Sequence, residues 1–164
     1  MEDHIPKLQP STSTLVHLIT FLVTHIAMVD EHGDGGHVMP NEVVHRLMAN
    51  SYLEDGAFAR EFIQEKLEHW QEILTDCLEA ASQAGDRVEN AVDARCGAWF
   101  AHHLAVALGF FHLPKEKVLD YGLDRKAVIK EAIRFSLRGM GLTDKAIQTH
   151  FNPEIGNLMN LNLF

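Results

Sequence analysis

Residues 88–113, VENAVDARCGAWFAHHLAVALGFFHL, decide how the chain reads. At helical spacing the stretch has two apolar sides. Ala94, Gly97, Ala101, Leu104, Ala105 and Leu108 fall together on one side. Val92, Cys96, Trp99, His103, Val106 and Phe110 fall on the other. A surface helix carries a single apolar stripe, so a helix with two is expected to be covered twice. The small side lets another backbone come close. The large side, with Trp99 and Phe110, is expected to fill a core or to wall a cavity. Double coverage in a short chain points to a central element, or to one shared with a second subunit.

The flanking sequence reads as further helices. Ser11 to Ser13 offers capping hydroxyls, and TLVHLITFLVTHIAMVD then runs apolar nearly all round, interrupted by His17 and His25. EHGDGGH reads as a loop. Met39 to Leu53 reads as a second helix, with Pro40 in its first turn. From Gly56 to Ala84, Ile63, Leu67, Trp70, Leu74, Cys77, Leu78 and Ala81 repeat at three and four, the mark of one long one-sided helix ended by Gly85. The central helix is expected to start after Asp86 and to stop near Pro114, with a short turn of helix over Lys115 to Gly122. Asp124 caps a last long helix to Met140, closed by Gly139 and Gly141, and Thr143 to His150 forms a short one. No alternating strand pattern appears. The fold class is therefore all-α, a bundle of about six to seven helices. Residues 1–10 read as a flexible lead-in, 11–150 as one domain, and 151–164 as a tail. Its Leu158, Met159, Leu161, Leu163 and Phe164 are expected to pack on the body or on a partner.

Charge narrows the function classes. The 164 residues carry 14 Lys and Arg against 23 Asp and Glu, a formal net charge of −9, with no basic run. Displacing phosphate counterions needs clustered cations, so this stretch is not expected to hold DNA itself. The two cysteines, Cys77 and Cys96, sit in helical patterns and form neither a zinc motif nor a disulfide framework, which suits a cytoplasmic protein. No membrane span is expected, because polar residues break the apolar run from Leu15 to Val29.

Eleven histidines raise the question of metal. Glu42 and His45 have the three-residue spacing used in di-iron bundles, but no second such pair exists. The loop residues His32, Asp34 and His37 read as a solvated surface. Adjacent His102 and His103 diverge on a helix and do not easily share one ion. His103, one turn from Trp99, reads either as a satisfied core residue or as a polar anchor in a pocket, and His25 reads the same way. No nucleophile elbow and no phosphate loop is present, so no catalytic residue, metal or cofactor is assigned. A metal- or haem-binding bundle and a pure interaction module stand as alternatives.

Three stretches, RLMANSYLEDGAFAREF, AGDRVENAVDARCGAWFAHHLAVALGF and AIRFSLRGMGL with its Gly-x-Gly-Leu ending, resemble the C-terminal domain of the TetR family of bacterial transcriptional regulators. The resemblance covers about Arg46 to Leu142. It implies a homodimeric, non-enzymatic effector-binding domain of a repressor-type regulator. DNA would be reached only through a missing N-terminal helix-turn-helix domain. It implies that the Val88–Leu113 and Asp124–Met140 helices meet their copies as a four-helix bundle. Ala94, Gly97, Ala101, Leu104, Ala105, Leu108, Val128, Ala132 and Phe135 would form the dimer interface. The opposite side would face a cavity for a small apolar or aromatic ligand, lined by His25, Met48, Phe62, Trp70, Trp99, His103 and Phe110.

Overall fold

The structure, a computed structural model, describes residues 9–27, 41–116 and 118–152. The expected helix ends at 28–30 and 39–40, the EHGDGGH loop, most of the lead-in and the apolar tail from 153 onward lie outside them. Seven helices follow one another among the described residues: α1 (Thr12–Ala27), α2 (Asn41–Leu53), α3 (Ala57–Lys66), α4 (Glu68–Gln83), α5 (Ala94–Phe111), α6 (Arg125–Gly139) and α7 (Asp144–His150). The fold is all-α, as the periodicity predicts.

The centre of the bundle is α1, packed against α4, α5, α6 and α7. Its Leu15, Val16, Leu18, Ile19, Leu22 and Val23 are buried on successive faces. Burying each such side chain contributes about 1.5–3 kcal/mol, which is why a helix apolar all round has to sit in the middle. Thr12 Oγ1 donates to Asp86 Oδ2, and other polar groups of α1 are satisfied locally. Ser11 Oγ accepts from the Thr14 amide, and Thr20 Oγ1 donates to the Val16 carbonyl at 2.7 Å. Asp124 and Thr143 cap α6 and α7 in the same way, accepting from the Ala127 and Ala146 amides.

Three expectations are corrected. The long helix over 56–84 is two helices meeting at Leu67, where φ is −111°. The Leu67 amide still reaches the Ile63 carbonyl and its own carbonyl still accepts from Gln71. The chain therefore kinks rather than stops, and Leu67 and Trp70 both enter the core. The spacing 63, 67, 70, 74 continues unbroken through the kink, so periodicity does not reveal it. The central helix starts at Ala94, not after Asp86, because Asp93 Oδ1 accepts from the Cys96 amide and ends the preceding loop. Lys115 to Gly122 forms bends and no helix among its described residues.

Residues 86–92 form a clasp instead. Arg87 pairs with Leu142 in an isolated bridge, and the Val88 amide donates to the Gly141 carbonyl at 2.9 Å. Arg87 Nε donates to the Met140 carbonyl and its Nη2 to the Val92 carbonyl. Gly141 is required there. Its φ is +87°, and a Cβ would lie 2.5 Å from that of Ala91.

Candidate functional site

The residues expected to line a pocket take part in several ring contacts. His25 stacks on Phe21 at 5.4 Å, and Phe21 stacks on the buried Trp70 at 6.2 Å. Phe62, half-buried on α3, lies 5.8 Å from Phe58. Met48 is buried on α2. Phe110 receives the edge of His45 at 5.5 Å. Trp99 is half-buried, with His103 stacked on it at 6.0 Å. His103 is exposed and is not the buried anchor its place beside Trp99 suggests. The second apolar side of α5 is thus only partly covered, with Cys96 also exposed.

The buried histidine is the neighbour. His102 is 8 % exposed, 5.7 Å from Trp99 edge to face and 5.7 Å from His103. Its Nδ1 is buried and has no hydrogen-bond partner among the described residues. Burial holds its pKa down at about 4, with His103 and His45 adding charge repulsion. A signal for it exists in the sequence: Ala98, Ala105 and Gly109 are small residues at helical spacing around it. Gly109 also admits α2. A Cβ there would collide with the ring of the buried His45.

The expected dimer face is corrected most. Gly97, Ala101, Ala105 and Leu108 of α5 are buried inside this chain, as are Val128 and Ala132 of α6. Ala94 and Leu104 pack against the same core. Small side chains do permit close approach, but it is α1, α4 and α6 of the same molecule that pack on α5. Of the nine residues, Phe135 alone is exposed, at 69 %.

Phe135 belongs to a different face. On α5 a row at helical spacing, Cys96, Phe100, Leu104, Ala107 and Phe111, runs along the boundary between core and solvent. Phe100 is 60 % exposed and Phe111 40 %. On α6 the matching flank carries Val128, Ala132, Phe135 and Gly139. The helices are antiparallel. A Cβ on Gly97 would touch Met140 at 3.2 Å, just past the end of α6, while Phe111 and Val128 wall one cleft near its start. The two rows therefore border the same seam, and Phe100, Phe111 and Phe135 stand exposed over it among the described residues.

That cleft has a volume of about 510 Å³. It lies where the end of α5, the connection 112–124 and the start of α6 meet α2. Phe111, Leu119, Tyr121 and Leu123 form an apolar wall, and Arg46 and Arg125 stand in it from α2 and α6. Arg46 is held by Glu42 at 2.8 Å and donates from the same Nη2 to the Leu113 carbonyl. Arg125 Nη2 donates to the Ala27 carbonyl at 2.6 Å. Nothing in the local sequence announces the cleft, because Arg46 and Leu113 are 67 positions apart. Among the described residues no group of three histidine, cysteine or acidic side chains is arranged to hold a metal, and no helix is long and apolar enough to cross a membrane. Comparisons of the chain with protein-family models, with curated proteins and with solved structures find no match.

Proposed function

We propose that this chain is the dimerisation and effector-binding domain of a TetR-like bacterial regulator, pairing through the seam of α5 and α6. The observation that carries the reading is the exposure of Phe100, Phe111 and Phe135 over that seam among the described residues. A ring buries 150–250 Å² when covered, so Phe100 and Phe135 alone offer roughly 250 Å² per copy. With Leu104, Ala107 and Phe111 beside them, the patch approaches the size that marks an interaction site on a monomer. Its self-complementary chemistry, apolar against apolar with no charge in the two rows, suits a two-fold contact. The pairing is rotated from the small face toward the aromatic flank, because Gly97, Ala101, Ala105 and Leu108 are already buried inside this chain. In this reading DNA is held by a separate helix-turn-helix unit, in keeping with the net charge of −9 here. The test is sedimentation of the wild type and of Phe135→Glu. The wild type is expected as a dimer at micromolar concentration. The variant, forced to bury a carboxylate against an apolar copy, is expected as a monomer with unchanged helical content. A wild type that sediments as a monomer throughout, or a variant that dimerises equally well, overturns the reading.

A further inference from the structure

We propose that the cleft between α2, the end of α5 and the start of α6 binds an amphipathic carboxylate, its anionic head in the field of Arg46 and Arg125 and its apolar body along Phe111, Tyr121 and Leu123. This rests on the effector half of the preceding reading and is tested apart from the dimer, with Phe111 standing at the border of seam and cleft.

The volume of about 510 Å³ lies within the range of small-molecule sites. The wall decides the body: two aromatic rings and two leucines are offered to a ligand at a place where each stands 40 % exposed or more. The charges decide the head. Three carboxylates line the cleft, and each already accepts a bond from this chain. Glu42 takes Arg46, Asp120 takes the Gly122 amide and Asp124 takes the Ala127 amide. Those bonds leave each acid its charge and its other lone pairs, so what favours an anionic head is the donor geometry beside them. The guanidinium groups differ, because each has five N–H donors in a planar fork. Arg46 uses its Nε and Nη2 on Glu42 and Leu113, and its Nη1 edge makes no hydrogen bond among the described residues. Those bonds also fix the fork in place, which lowers the ordering cost of receiving a carboxylate. Arg125 is half-buried, where its charge is less screened than at the surface. Three cations and three acids balance formally in the cleft, so the Nη1 edge of the fixed Arg46, beside the apolar wall, is what receives a carboxylate.

The probes are 4-phenylbutanoate and its uncharged analogue 4-phenylbutanol, titrated into the ¹⁵N-labelled full chain and followed by amide shifts. The acid is expected to shift residues 42–46 and 111–128 selectively and to bind about tenfold or more tighter than the alcohol. Arg46→Met is expected to lose most of that preference. Its side chain is 56 % exposed, so the fold tolerates the change. Tyr121→Ala is expected to weaken acid and alcohol alike. No saturable shift at millimolar acid, shifts centred elsewhere, equal binding of the alcohol, or an unchanged preference in Arg46→Met each overturns the proposal. Loss of binding with an intact dimer sinks this inference alone. Binding that persists in the monomeric Phe135→Glu sinks the dimer's relevance to it and leaves the site standing.

Discussion

Acid should loosen this protein through one residue, His102. Its imidazole is 8 % exposed, packed among Ala98, Ala105 and Gly109 and the edge of Trp99. The ordinary histidine pKa of 6.5 falls to about 4, first because burial disfavours the cation and then because His103 and His45 lie near. The sign follows from proton uptake. Below pH 6.5 the unfolded chain binds a proton that the folded chain refuses until about pH 4. The stability of the neutral form is therefore complete above pH 6.5 and is lost progressively down to pH 4. The gap corresponds to about 3 kcal/mol, a large share of the stability of a domain this size. The assay is urea denaturation at intervals between pH 8 and pH 4, on the wild type and on His102→Leu. Other groups titrate in both proteins, so the difference between the two curves isolates His102. The wild type should fall about 3 kcal/mol further than the variant across that window. At pH 8 the variant should be nearly as stable as the wild type, since it removes a buried nitrogen that finds no partner among the described residues. Parallel curves would refute the reasoning, as would a His102 imidazole seen by NMR to titrate near 6.5.

Two further outcomes follow from the packing. Gly109→Ala should push the His45 ring away and free α2 from α5, read as faster amide exchange confined to Asn41–Leu53; unchanged exchange there means the collision is relieved some other way. Of the two thiols, Cys96 is exposed, whereas Cys77 is buried with its thiol pushed up by that burial. One thiol per chain should react with a disulfide reagent in native buffer and the second only in denaturant, and fast reaction of both would mean that α4 is not docked as described.

What could be read from the residues alone depended on the range of the interaction. α1 was legible because a helix apolar on every side has one place to go. Asp124 and Thr143 announced α6 and α7 because a cap acts over three residues. The kink at Leu67 was hidden because it preserves the spacing of Ile63, Leu67, Trp70 and Leu74. Asp93 was overlooked as the start of α5 because Val88 and Val92 continue a helical rhythm through a loop in which Asn90 has φ +59°. At α5 the two faces were visible, but spacing states which residues share a side and not what covers it. The small side is buried inside the chain, and Phe100 and Phe135 stand exposed among the described residues. Choosing His103 over His102 followed from the same gap, since Trp99 contacts both rings. The cleft depends on Arg46 meeting Leu113, a contact that no local pattern encodes.

The central place of α1 also has a cost in time. It is the first helix of the described chain to be synthesised, yet the α5 and α6 residues that shelter it follow about 70–110 positions later. At roughly 5–20 residues per second, a ribosome leaves this greasy rod without its cover for something like 5–20 seconds. During that interval α5 and α6 have not yet been made to enclose it. Holding chaperones should therefore bind the emerging N-terminal third and let go only once the segment around Gly139 has cleared the exit tunnel.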